Sequence, residues 1–200
     1  MLRYLFLFSL MINSSFIIAQ QQMSYNDSMK AFRENYISKH EVVQGSDTNY
    51  FRFFPIDNNY RITCHFEKIE DPKGFVMITY RSRRDVYIKY GKLSFKVHDT
   101  AVQLYIYQNK DFLRTADYKD YLFLPYTDNT SGYESHAGGK YIDLTIADIK
   151  NNIVIVDFNK AYNPYCAYSS DYSCPIPPKE NTLPVSIRAG EMEFAKPFKL

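Results

Sequence analysis

The sequence predicts a mainly β protein, an antiparallel β-sandwich or barrel with one N-terminal helix. Three observations lead there. Polarity alternates with period two in Arg61-Ile62-Thr63-Cys64-His65-Phe66-Glu67, which puts Ile62, Cys64 and Phe66 on one face of a half-buried strand. Short β-rich segments then recur along the rest of the chain, separated by turn residues. A helical period occurs once, before Gly45.

The first nineteen residues read as a cleavable secretory signal peptide. Arg3 is a minimal positive region, and Tyr4-Leu5-Phe6-Leu7-Phe8-Ser9-Leu10-Met11-Ile12 is an apolar core. Asn13, Ser14 and Ser15 interrupt it, and Ala19 precedes the polar Gln20-Gln21-Gln22. A membrane anchor needs about 20 continuous apolar residues, which this stretch lacks. The division is therefore residues 1–19 as leader and 20–200 as a single β-rich domain. The mature chain is expected to be exported, periplasmic or extracellular, with no membrane anchor after cleavage.

Residues 27–39 form the predicted helix, with Met29, Phe32, Tyr36 and Ile37 on one face and Asp27 or Ser28 as cap. Asp71-Pro72-Lys73-Gly74 is a turn. Strands are predicted over residues 75–80, 86–90, 93–97, 102–107, 121–125, 141–146, 153–158 and 185–188. The arginines at 81, 83 and 84 fall between two of these and read as a solvated loop. Two stretches, residues 127–139 and 159–184, are long, polar and rich in turn residues. Connections need only a few residues, so such lengths on a rigid sheet mark where a site would sit.

Charge narrows the function classes. The chain has 24 Lys and Arg against 22 Asp and Glu, so there is no electrostatic case for nucleic acid or an anionic membrane. There are 19 Tyr, 15 Phe and no Trp. Tyrosine suits half-buried strands, and Tyr-rich surfaces also bind sugars and peptides, because the ring packs while the hydroxyl bonds. The chain lacks a Gly-x-Ser-x-Gly elbow, a Walker loop, a His-Glu-x-x-His motif and a dinucleotide fingerprint. No cofactor and no metal are expected.

The segment Asn159-Lys160-Ala161-Tyr162-Asn163-Pro164-Tyr165-Cys166-Ala167-Tyr168, with Cys174-Pro175-Ile176-Pro177-Pro178-Lys179-Glu180-Asn181 and Ala189-Gly190-Glu191, resembles the bacterial and archaeal family called domain of unknown function 1684. Tyr121-Leu122-Phe123-Leu124-Pro125-Tyr126-Thr127-Asp128 and Gly138-Gly139-Lys140-Tyr141-Ile142-Asp143-Leu144 extend the resemblance over most of the mature chain. The family carries no established activity. Its pattern has Tyr at the position of His136 and Arg at that of Lys140. This argues against His136 as a family-wide base or ligand, and at Lys140 it keeps the charge while losing a forked anion contact.

Cys166 and Cys174 are eight residues apart. In an exported chain a local disulfide is the first reading, contributing about 2.5 kcal/mol by loop closure. A metal site, a nucleophilic Cys166 and two buried free thiols are the alternatives. Cys64 alternates with Ile62 and Phe66 and reads as a buried, unreactive thiol. The ligand-binding candidates in and beside the two polar stretches are Asp128, Glu134, Lys140, Asn159, Asn163, Tyr168, Glu180 and Asn181. Asp143 is a further acid nearby. The asparagines flank turns, where their amides serve either loop backbone or a polar ligand. Asp128, Thr130 and Glu134 are a weak calcium pattern. Three functions remain: a binding module for a small polar molecule, sugar or peptide; a hydrolase using loop carboxylates or Cys166; and a structural or interaction protein.

Overall fold

The computed structural model describes residues 23–71, 73–81 and 84–196. The expected leader and its cleavage point lie outside the described residues. Helix α1 (Tyr25–Ser38) is capped by Ser24, whose side chain accepts the N–H of Asp27 at 3.2 Å. The helix therefore begins ahead of the expected cap at Asp27 or Ser28. Met29 is buried and Phe32, Tyr36 and Ile37 are half-buried, as the helical spacing predicts. Tyr25 fastens the start of the helix by donating to Asp157 at 2.9 Å.

Seven antiparallel strands follow: β1 (Arg61–Lys68), β2 (Phe75–Met77), β3 (Asp85–Val97), β4 (Thr100–Asn109), β5 (Tyr121–Tyr126), β6 (Lys140–Thr145) and β7 (Ile153–Asp157). Their order is β6-β5-β4-β3-β1-β7, with β2 beside the first part of β3. The mainly antiparallel fold with one N-terminal helix is thus as predicted, and the strands form one curled sheet, a half-barrel. Among the described residues no helix is long and apolar enough to cross a membrane.

The predicted strands over residues 86–90 and 93–97 are one continuous strand. The register against β4 shifts between Lys89 and Gly91, leaving Tyr90 as an extra residue. This bulge exchanges the faces of β3. Asp85 and Tyr87 point to one side of the sheet, whereas Leu93, Phe95 and Val97 point to the other. Gly91 sits where β1 comes closest: a Cβ there would lie 2.2 Å from the Phe66 ring and 2.9 Å from the Glu67 carbonyl.

Each face has its own apolar cluster. The inner one takes Cys64, Leu93, Leu104, Leu122, Ile142 and Val156 from the strands. It is completed by Phe158, Leu183, Ile187 and Ala189 from the irregular chain after β7. The other face carries Met77, Tyr87, Tyr107, Phe123, Tyr141 and Cys174.

Residues 185–188 are not a strand. They run along the half-barrel with Ile187 packed into the inner cluster and Arg188 exposed, and their backbone is satisfied piecemeal. Val185 O accepts from Asn129 N at 3.1 Å, and Ile187 O accepts from Lys140 Nζ at 3.2 Å. Such pairing needs no neighbouring strand, only partners for each buried carbonyl.

Candidate functional site

The outer face of the sheet is roofed by the end of α1 on one side and by residues 160–175 on the other. Between floor and roof lies a cavity of about 890 Å³. Seven tyrosines line it: Tyr36, Tyr87, Tyr121, Tyr141, Tyr162, Tyr165 and Tyr172. Phe32, Phe112 and Phe123 add apolar surface, and Glu41, Asp85, Asp143, Asp171, Lys39 and Lys160 add charge.

The strands place the floor by parity. Tyr121 and Phe123 of β5, and Tyr141 and Asp143 of β6, alternate with Leu122, Leu124, Ile142 and Leu144, which fill the inner core. The roof is clipped on by backbone. Tyr141 N donates to Tyr162 O at 2.9 Å, and Tyr162 N donates to Tyr141 O at 3.0 Å. Ile176 N donates to Ile78 O at 2.7 Å, and Tyr80 N to Cys174 O at 3.2 Å. The Tyr141 hydroxyl donates to Pro175 O. The loop arginine Arg81 takes part: its N–H donates to Ser173 Oγ at 2.9 Å and its guanidinium to Ser170 O.

One carboxylate organises the polar part of the cavity. Asp143 Oδ1 accepts the hydroxyls of Tyr121 and Tyr162, each at 2.7 Å. Burial, and the Asp143 charge, push both phenols above their ordinary range, so both remain hydroxyls. At the rim Tyr165 donates to Glu41 at 3.0 Å, and burial with that bond raises it to about 12. The arrangement offers ring faces, fixed hydroxyls and carboxylates to a polar molecule.

Residues 48–192 match the family described as Protein of unknown function (DUF1684). The chain belongs to this family. Its fold is similar to that of an uncharacterised protein of Haloarcula marismortui solved by solution NMR. The two superpose with a TM-score of 0.63 at 29% identity, over 82% of this chain and 92% of that one. No curated protein matches the chain.

In this DUF1684 protein the eight residues singled out from sequence as ligand candidates are not among those lining the cavity, although Tyr168 meets the lining Tyr36 at 3.0 Å. Each makes hydrogen bonds or ion pairs within the protein, although Asn163 Oδ1 is buried with no hydrogen-bond partner. Lys140 is fully buried, with Nζ 3.5 Å from Asp128 Oδ2 and donating to Ile187 O and Ala189 O at 3.2 and 3.3 Å. Burial lowers its pKa against the raising effect of Asp128. Asn159 holds the backbone of Asp57, accepting its N–H at 3.1 Å and donating to its O at 2.8 Å. Asn181 does the same for Tyr105 and also donates to Pro125 O. Glu180 accepts Tyr107 and Lys89, both at 2.7 Å, and Glu134 takes the Arg188 guanidinium in a forked contact. These bonds also occupy Asp128 and Glu134, two members of the calcium pattern.

Asn163 and Tyr168 meet at Glu191. This buried acid accepts Asn163 N at 3.0 Å, Tyr168 at 2.7 and 2.8 Å, and Tyr36 at 3.1 Å. Burial drives it up to about 7, and the donors partly oppose that. The two polar stretches do converge, through residues 185–193: Glu193 N donates to Glu134 O at 3.0 Å, and Asn163 Nδ2 to Met192 O at 2.8 Å. There they close the half-barrel as packed, hydrogen-bonded chain.

The expected bridge between Cys166 and Cys174 is not formed in the structure; both are free thiols. They nevertheless touch, for Cys174 Sγ accepts the backbone N–H of Cys166 at 3.1 Å. Cys64 is a buried free thiol that burial raises to about 12, consistent with its place in the β1 alternation.

The aromatic floor of the cavity escaped the sequence reading because it lies on strands, whereas Tyr162, Tyr165 and Tyr172 of the roof fall within the polar stretch 159–184. A signal was present: Tyr121, Phe123 and Tyr141 alternate with Leu122, Leu124 and Ile142. A strand with aromatics on its second face needs a cover on that face too.

Proposed function

We propose that this chain is an exported binding module for a small polar molecule, sugar or peptide, and that the tyrosine-walled cavity is its site. The observation that carries the reading is Asp143, fixed by two tyrosine hydroxyls on the floor of a cavity of about 890 Å³. A volume of that order matches small-molecule sites, which join apolar walls to a few placed polar groups. Tyrosine rings stack on the apolar faces of a sugar or a side chain, and hydroxyls held by a carboxylate keep a fixed orientation toward it. Export is supported by the charge-free apolar core after Arg3 and by Ala19 ahead of the polar Gln20.

The test is a thermal-shift screen of purified protein against glycans, peptides and polar metabolites, followed by Asp143→Asn and Tyr162→Phe. Both variants should keep a melting temperature close to that of the parent and lose the shift given by the hit. A hit that binds both variants as tightly as the parent would move the site elsewhere. Release of a cleaved product from a hit would replace binding by hydrolysis.

A further inference from the structure

We infer that Cys166 and Cys174 form a redox-active dithiol that exchanges with small disulfides entering through the tyrosine-walled cavity, with Cys174 as the attacking sulfur and Cys166 as the resolving one. Three features of the geometry lead here. The two cysteines lie in contact, with Cys174 Sγ accepting the Cys166 backbone N–H at 3.1 Å. Cys174, though largely buried, is among the residues lining a cavity large enough for a small disulfide, and Cys166 is not. Both residues are held in place by backbone. Tyr80 N binds Cys174 O, while Ala167 N binds Pro164 O at 2.8 Å and Tyr168 N binds Tyr165 O at 3.0 Å, framing Cys166.

The electrostatics assign the roles. The Cys166 thiol is pushed up by the neighbouring Cys174 side chain and by burial, so it keeps its proton. The Cys166 side chain beside it, set against burial, brings Cys174 down to about 7, and the Cys166 N–H acts in the same direction. A thiolate with a pKa near ambient pH combines a usable ionised fraction with good nucleophilicity. Cys64, raised to about 12 in the core, stays outside the exchange.

The step balances with a disulfide RSSR as oxidant. Cys174 S⁻ attacks one sulfur, forming Cys174–S–SR and releasing RS⁻. RS⁻ takes the proton of Cys166 and leaves as RSH. Cys166 S⁻ attacks Cys174 Sγ, forming the intramolecular disulfide and releasing a second RS⁻. Two electrons pass from the dithiol to the small disulfide. Oxidation ties together the chain that roofs the cavity.

The probe is glutathione disulfide, added to reduced protein, with acid quench, alkylation and peptide mass mapping. Wild type should lose two hydrogens, with the Cys166 and Cys174 peptides joined and Cys64 alkylated only after unfolding. Cys166→Ser should accumulate a glutathione adduct on Cys174. Cys174→Ser should acquire one on Cys166 at least tenfold more slowly. Equal rates in the two variants, or no bridge in the wild type, would overturn the assignment. In case a variant misfolds, the wild type gives an independent reading. Iodoacetamide should label Cys174 with a pH midpoint near 7, and a midpoint near the ordinary thiol value of 9.0 would also overturn it. These readouts need no cavity ligand, so they stand or fall apart from the binding reading.

Discussion

Replacing Glu191 by Gln should remove a pH dependence that the fold builds into its own interior. Glu191 is fully buried, and the groups around it are donors: Asn163 N–H and the hydroxyls of Tyr36 and Tyr168. Burial outweighs them and raises the acid from 4.5 to about 7. Between those values the native state holds a proton that the unfolded chain has released. Stability from this group is therefore fully present below pH 4.5 and is lost as pH rises through about 7. A shift of that size is worth roughly 3 kcal/mol, or on the order of 10 °C in melting temperature for a chain of this length. Gln is neutral throughout. Its carbonyl still accepts from Asn163, and its amide still meets a tyrosine oxygen. Urea unfolding at about pH 5 and about pH 8 should show Glu191→Gln gaining roughly 3 kcal/mol on the wild type at the higher pH. Surface carboxylates titrate alike in both proteins and cancel in the difference. Parallel stability profiles would refute the reasoning, since Glu191 would then carry no shifted proton.

Other outcomes follow from the same packing. Lys140→Met should cost about 3–5 kcal/mol, because Asp128 loses its buried counter-charge. Adding Asp128→Asn should recover much of that in chemical denaturation, since Asn still accepts the N–H of Thr130. Gly91→Ala should destabilise by about 1–3 kcal/mol through overpacking on the Phe66 ring, and Phe66→Leu should relieve part of it in a double-mutant cycle. Exported protein should begin at Gln20 on N-terminal sequencing, and material still carrying Met1 in a membrane fraction would contradict the leader.

Local pattern made much of the fold legible. The alternation around Cys64 marks β1 because a strand buries every second side chain whatever it pairs with. Met29, Phe32 and Tyr36 mark α1 for the same kind of reason, with a different period. The site was less legible. Asn159, Asn163 and Asn181 resemble ligand groups in the sequence, yet each binds backbone that is distant along the chain, at Asp57, Met192 and Tyr105. An amide gives no sign in sequence of which partner it will meet. The bulge at Tyr90 was also hidden, since its effect is to choose which face Tyr87 and Leu93 occupy relative to β4.

The sequence by itself determined the β class, the single helix, the family and the positions of the polar stretches, because these depend on residue type and spacing along the chain. Tertiary structure alone decided that those stretches close the half-barrel, that Glu191 and Lys140 lie in its interior, and that Asp143 and the tyrosines enclose a cavity. Those outcomes depend on which strand face is covered and by what. That is set by contacts between residues far apart in the chain, such as Tyr141 with Tyr162 and Ile78 with Ile176, which leave no period to read.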